Sequence, residues 1–487
     1  MTLLKKYFLP GLAVEDRSIE VPLDWRGTSP AALAGVEDPK PTRLSADSAS
    51  LVPDPAFAGK KIKLFYRVVC DPEDVDKDLP LLVFLQGGPG GAGPRLTSPT
   101  SDGWVEEAIK HYRVVLPDQR GTGRSSRVDG RLIDAMGAQA ELEGADPARR
   151  QADYLKRFLA DSIVRDFEYL RLAEFGGVRW STLGQSYGGF ISLCNLSTFP
   201  AGVAAAFTCG GTPHVPGNAA EIYAHTVPRM AAKTRAYYDR YPEDRRRVSL
   251  LAQRLATTHE TLPDGSPFSV RRLQACGRRL GMKPAFEELH NLFDLAFCAG
   301  DGSEADALAA AGDDPSRIAL FDGFKQGALE LTGSAAEPLY WTLQEFIYAD
   351  GELDAPIGWA AAREAAGRAE FSQDARPLMF YAEAIFPWMF EEDPALMPFK
   401  PAMDLLMEDT SFGKLYDVEQ LAKNEVPLQA AVYFDDVYVD SALSLDTLSR
   451  VGSSHVWVTN EFEHDGIHGD CVFRHLYKEA LDRGDLA

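Results

Sequence analysis

The chain has 487 residues, 45% of them hydrophobic and 25% charged, a composition that can bury a large core and, by length, suggests several structural units or one large domain carrying an insertion. Lys and Arg total 50 against 72 Asp and Glu, a formal charge of −22 that argues against nucleic acid or an anionic membrane as partner, since both require basic patches. No run approaches the roughly 18 apolar residues of a membrane helix, the first residues do not read as a signal peptide, and six scattered cysteines (Cys70, Cys194, Cys209, Cys276, Cys298, Cys471) without a CxxC disfavour a zinc site or disulfide framework, so a cytoplasmic protein with reduced thiols is expected.

In chain order, residues 27–60, rich in Pro, Ala, Ser and Asp, read as a surface loop. Leu79 to Leu85 is a continuous apolar run ending in QGGPGG, which predicts a strand buried on both faces and a glycine turn. Tyr112 to Leu116 predicts another strand, stopping at PDQRGTGRSS. Ile163, Phe167 and Leu170 repeat with helical spacing before a stop at Gly176 and Gly177. Val178 to Leu183 then reads as a strand, 184–189 as a tight turn and Phe190 to Phe199 as a helix. Two further strands are expected at Leu428 to Phe434 and His455 to Thr459. Between them and the first part, residues 212–425 hold amphipathic helical stretches (221–241, 245–257, 338–348, 360–369) and few convincing strands. Strand, glycine turn and helix in repetition predict an α/β fold, a mostly parallel sheet with helices on both faces. The helical region reads as an insertion over the carboxyl ends of its strands.

GQSYGG, Gly184 to Gly189, places G-x-S-x-G at a strand-to-helix junction, where glycines two before and two after leave room for a strained turn that presents Ser186 as a nucleophile. Its competing reading is a structural turn serine. Gln86 to Gly91 follows the earlier strand, where a hydrolase of this architecture needs a backbone N–H for the oxyanion of a tetrahedral intermediate. Gly88 is the candidate there, and Tyr187, next after the serine, is the second. A phosphate loop is disfavoured because neither a G-x-x-x-x-G-K-[ST] lysine nor a G-x-G-x-x-G opening a helix is present. A base and its orienting acid follow the serine in chain order in such enzymes. VYFDDVYVD offers Asp435 and Asp436, and NEFEHDGIHGD offers His464 and His468, each set at the end of a predicted strand.

Together these motifs resemble the prolyl aminopeptidase (proline iminopeptidase) family of α/β hydrolases, in its longer bacterial form. The resemblance is carried by VPLDW (21–25), LVFLQGGPGG (82–91), YRVVLPDQRGTGRSS (112–126), GQSYGGF (184–190), YFDDVYVD (433–440) and WVTNEFEHDG (457–466), spread over most of the chain. In that family the acid opens a D-x-x-x-[PD] segment about 28 residues before the histidine, which implies Asp436 and His464 and leaves Asp435 and His468 as runners-up. DQRGTGRSS looks like the family's structural turn near the site. WTLQEFIY matches a W-x-x-x-E-x-x-Y segment whose glutamate binds the substrate's amino terminus, giving Glu345, and AEAIFPWMF resembles the segment of a second such glutamate, giving Glu383. The chain departs from the family in its longer 27–60 segment and in residues 250–335, where no motif is recognised.

The implied protein is an α/β hydrolase with a catalytic part from residues 1–211 and 426–487 and a helical cap at 212–425. The expected activity is that of a serine exopeptidase releasing an N-terminal residue, with proline expected there, from small peptides with a free amino terminus, without metal or cofactor. An esterase or amidase on another small acyl compound is the first alternative, set apart by the acidic pair in the cap, which a neutral substrate gives no reason to bury. A non-catalytic binding protein on the same fold is the second.

Overall fold

The computed structural model describes residues 2–38, 40–297, 303–312 and 314–486; Cys298 lies outside them. Its strands are β1 (Thr2–Leu9), β2 (Leu12–Pro22), β3 (Lys61–Cys70), β4 (Leu81–Leu85), β5 (Arg113–Pro117), β6 (Trp180–Gln185), β7 (Val203–Cys209), β8 (Leu428–Tyr433) and β9 (Ser454–Thr459). They join one sheet in the order β1-β2-β3-β5-β4-β6-β7-β8-β9. From β5 to β9 every pairing is parallel, while β1, β2, β3 and β5 pair antiparallel. The five predicted strands are all present, shifted by no more than two residues at either end.

Burial explains why the inner strands were legible. Every residue of β4, β6 and β8 is buried, because helices cover both faces. Along β4, Leu81, Val83 and Leu85 face one apolar cluster with the helices Ala160–Glu174 and Tyr187–Thr198, while Leu82 and Phe84 face another with Gly103–Ala108 and Val472–Arg483. Residues between β7 and β8 add no strand to this sheet among the described residues, and their helices enclose a separate apolar cluster around Tyr237, Leu251, Phe293, Phe324 and Phe380.

Two parts differ from expectation. The antiparallel β1–β2–β3 end is absent from the sequence reading because its alternation is interrupted: β1 is mostly exposed, and in β2 the inward position Asp16 is a charge, held by Arg67 at 2.8 Å and Arg124 at 2.7 Å. Residues 27–60 are not simply a surface loop. They hold two short helices, Pro30–Ala34 capped by Ser29 and Arg43–Ser50 capped by Thr42, and they bury Leu44 and Phe57. Capping Ser and Thr look like loop residues in sequence, which is why the segment reads as one.

The N-terminal strands are fastened to the helical layer by a buried charge. Arg120, wholly buried, lays its fork on Asp166 (Nε to Oδ2 2.7 Å, Nη2 to Oδ1 2.6 Å) and donates its remaining protons to the carbonyls of Pro22, Leu23 and Arg157. Trp25 Nε1 donates to the same carboxylate at 2.8 Å. Removing one partner of such a pair strands the other in a dry core, at a cost of about 3 to 5 kcal/mol. Asp166→Ala is therefore expected to lower the urea unfolding midpoint by that stability, read by tryptophan fluorescence; an unchanged midpoint would show the pair to be dispensable.

Candidate active site

β6 ends at Gln185, Ser186 alone takes the turn, and Tyr187 starts the next helix, three residues earlier than the sequence reading places it. Ser186 sits at φ 53°, ψ −125°, a left-handed conformation that a residue with a side chain adopts only under strain. Two glycines make the turn possible by closeness alone: a Cβ on Gly188 would lie 1.8 Å from the Leu85 carbonyl oxygen, and one on Gly184 would lie 2.3 Å from that of Gly188. The serine's own N–H donates to the Cys209 carbonyl at 3.1 Å, so β6 and β7 both fix its position.

The candidate base stands after β9 and the candidate acid after β8. His464 Nδ1 donates to Asp436 Oδ2 at 2.7 Å, with both side chains almost fully buried. The other oxygen of Asp436 accepts the N–H groups of Tyr438 (2.8 Å) and Val439 (3.0 Å), so the carboxylate is fixed from behind. Burial works against a charged imidazole, but Asp436, through charge and hydrogen bond, with Glu383 and Asp465 beyond, outweighs it and holds the His464 pKa above the ordinary histidine value. The runners-up go elsewhere: Asp435 is exposed, and His468 pairs through Nδ1 with Asp102 at 3.0 Å. Ser186 and His464 line the same cavity, without a hydrogen bond between them among the described residues.

The glycine loop after β4 passes beside the serine; a Cβ on Gly87 would touch that of Ser186 at 3.0 Å. The Gly88 and Tyr187 N–H groups donate to no protein acceptor among the described residues. The DQRGTG turn holds this loop: Gln119 Nε2 donates to the Gln86 carbonyl at 2.7 Å, and Asp118 accepts the N–H of Gly93 at 3.0 Å and of Arg124 at 2.8 Å. Asp118 also binds the Arg95 guanidinium.

The cavity has a volume of about 460 Å³ and is lined by Gly88, Ser186 and His464 on one side and by Arg278, Tyr340 and Glu383 of the helical region on the other. Tyr340 Oη donates to Glu383 Oε1 at 2.6 Å. Burial, opposed by that hydrogen bond and by His464 and Arg278, raises the Glu383 pKa. Glu345 is placed differently from its sequence expectation. It is buried but not among the cavity's lining residues, and its carboxylate accepts the N–H groups of Ala360 (2.8 Å) and Ala361 (3.1 Å) at the start of the helix Ala360–Ala366. Burial outweighs those two bonds and pushes its pKa up to about 7. Tyr340 and Arg278 escaped the sequence reading because neither lies in a strand-end glycine turn; only their adjacency to Trp341 and Tyr438 in space marks them.

No cluster of three metal-ligating side chains occurs among the described residues. A serine hydroxyl, an imidazole with its orienting carboxylate, and two free amides beside them can carry out acyl transfer through a covalent intermediate.

Residues 80–292 match the family model described as alpha/beta hydrolase fold. A proline iminopeptidase of Aeromonas sobria is 38% identical over 413 residues, 84% of this chain and 89% of that protein. The proline iminopeptidase aneH of Aspergillus aculeatus is 30% identical over 415 residues, 83% and 86% of the two chains. The solved proline iminopeptidase of Mycobacterium smegmatis overlays with a TM-score of 0.39 at 15% identity, over 87% of this chain and 96% of that one, a likeness too loose to bear on the site.

Three expectations follow from the geometry and charge of the site. Ser186→Ala should cut turnover of a chromogenic substrate by roughly 10⁴-fold with an unchanged circular dichroism spectrum. His464→Ala and Asp436→Asn should be similarly impaired, while His468→Ala and Asp435→Asn keep activity within about tenfold; a dead His468→Ala would move the base to that residue. The raised His464 pKa also sets a pH limb. A base must be neutral, so kcat/KM on a neutral activated ester should fall as pH drops through a value above the ordinary 6.5, and Glu383→Gln, which removes one charge holding the proton, should move that limb to lower pH. A limb below 6.5 in the wild type would contradict the pairing.

Proposed function

The chain belongs to the proline iminopeptidase family of α/β hydrolases, and from that premise we propose that it releases an N-terminal residue, proline above others, from short peptides. The observation that carries the reading is the convergence, in a chain of this family, of Ser186, His464 and Glu383 on one cavity. Ser186 attacks the scissile carbonyl while His464 takes its proton. The oxyanion that forms is met by the N–H groups of Gly88 and Tyr187, which donate to no protein acceptor among the described residues. The intermediate collapses as the protonated His464 hands its proton to the departing amine, and Asp436 holds the imidazole in the tautomer that allows both transfers. Water, deprotonated by the same histidine, then releases the acyl group from the serine.

The helical cap, residues 212–425, closes over the catalytic part formed by 1–211 and 426–487 and supplies the reading of the free amino terminus. Glu383, facing the cavity, binds the ammonium group; an acylated nitrogen would leave that carboxylate buried and unpaired, which is how an exopeptidase rejects an internal bond. Glu345, buried on the amides of Ala360 and Ala361, adds its negative charge when ionised. The thiols are free among the described residues and no helix there is long and apolar enough to cross a membrane, in keeping with action in the cytoplasm.

A panel of chromogenic amides of proline, alanine and N-acetylproline tests the reading. Proline should be preferred and the acetylated substrate refused; equal turnover of all three would favour a general amidase. Glu383→Gln should lower kcat/KM for the prolyl amide by roughly 30-fold or more and alter hydrolysis of a neutral activated ester far less. Glu345→Gln should have the smaller selective effect. Equal losses on amide and ester for Glu383→Gln would assign that residue to structure rather than to the amine.

A further inference from the structure

One cation in the catalytic cavity has no directly bonded partner among the described residues, although Glu383, which lines the same cavity, feels its charge. Arg278 lines it, yet among the described residues its guanidinium makes no ion pair or hydrogen bond, and its Nε is buried without an acceptor. Enclosing the Nε–H without an acceptor is costly, and the rest of the half-buried guanidinium is open to the cavity. The guanidinium is nevertheless held in place, packed over the rings of Tyr340 and Trp341 with its carbon 5.3 and 5.1 Å from their centroids. Most neighbouring charges are answered within the protein. Lys283 Nζ donates to the Glu461 carbonyl at 2.9 Å, Asp465 accepts the Lys283 N–H at 3.1 Å, Glu383 accepts from Tyr340, and Arg279 faces Glu288 at 3.9 Å. Glu337 stands exposed at the rim and forms no ion pair with Arg278.

The position of Arg278 relative to the chemistry is fixed through its backbone. Its carbonyl accepts the Tyr438 hydroxyl proton at 2.7 Å, that hydroxyl accepts the Gly281 N–H at 3.1 Å, and the Gly281 carbonyl accepts the backbone N–H of His464 at 3.0 Å. The Tyr438 ring meets the His464 imidazole edge on, 4.8 Å between centroids. The segment from Arg278 to Gly281 is thus tied to the base, the group that protonates the leaving amine. That amine is the α-nitrogen of the substrate's second residue, and two bonds away from it stands the second residue's carbonyl carbon. In a dipeptide this carbon is a carboxylate, the anion that a planar guanidinium binds in bidentate fashion.

We infer that Arg278 binds the free carboxylate of the second residue, which makes dipeptides with an N-terminal proline the favoured substrate class; this rests on the proline-releasing reading above. Such a dipeptide is a zwitterion without net charge, so the chain's overall charge of −22 does not draw its carboxylate in, and a local cation is what binds that group.

The test compares kcat/KM of the full chain for Pro-Ala, Pro-Ala amide and a prolyl chromogenic amide, in wild type, Arg278→Gln and Arg278→Lys. Wild type should prefer Pro-Ala over its amide by about tenfold or more. Arg278→Gln should lose roughly 30-fold or more on Pro-Ala, no more than about threefold on the two substrates without a carboxylate, and Arg278→Lys should recover part of the loss. Equal losses on all three substrates would overturn the inference and assign Arg278 to the support of Tyr340 and Trp341. So would a wild type that does not distinguish Pro-Ala from its amide while cleaving both. A wild type inert on all three would overturn the proline-releasing reading itself, and this inference with it.

Discussion

A serine held at φ 53° costs on the order of 1 to 3 kcal/mol, and it persists only where its surroundings leave no alternative. Here the surroundings are backbone. The helix after Ser186 approaches β4 so closely that the Gly188 Cα has the Leu85 carbonyl where a side chain would start, and Gly189 stands equally tight against Gly211. Relaxing Ser186 to an ordinary conformation would drive the helix Tyr187–Thr198 into β4 or away from β7, and both strands are locked in the middle of the sheet. The strain is therefore stored by parallel pairing on both sides of β6, and the glycine loop after β4 is brought beside the serine by the same pairing. Sheet order sets the nucleophile and the two free amides next to each other.

Buried charge does the complementary work of aiming loops. Asp118, Gln119 and Arg120 are consecutive and buried, and each reaches a different part of the chain: Asp118 the turn at Gly93, Gln119 the Gln86 carbonyl, Arg120 the Pro22 to Trp25 segment by way of Asp166. Hydrophobic side chains would fill this space at less desolvation cost, but they lack direction. Three polar residues in a row fix the glycine loop from below and the N-terminal strands from the side.

What could be read from the sequence depended on whether burial was symmetric. Strands covered on both faces, such as LLVFL and LQAAVY, announce themselves as apolar runs, and G-x-S-x-G announces Ser186 because only glycine tolerates such contacts. Asp436 and His464 were separated from Asp435 and His468 by a family spacing; in the fold the difference is that Asp436 is buried under two backbone N–H groups while Asp435 is exposed. The β1 to β3 end stayed illegible because its inward Asp16 is neutralised by arginines far along the chain, a pairing no local pattern displays. Glu345 matched a motif, yet a motif cannot tell whether a carboxylate faces a cavity or, as here, the amides of a helix start. Arg278 had no motif, since what distinguishes it is the lack of a partner in three dimensions.

The helical region holds the catalytic half on both sides of the base. Besides the Gly281 carbonyl on the backbone N–H of His464, Lys283 binds Asp465 and Glu461, and Lys233 binds Glu463 at 2.6 Å, so the residues immediately before and after His464 are each held by a side chain or amide from the helical region. The nucleophile is fixed differently, by strands that belong to the sheet alone. The glycine loop is shared between the two parts, since a Cβ on Gly90 would lie only 2.7 Å from the Tyr340 amide nitrogen. Glu383 and Arg278 line the cavity from the same helical region. The groups proposed to read the two charges of a short zwitterionic peptide therefore stand on the body that also holds the residues flanking His464, so substrate recognition and placement of the base share one support.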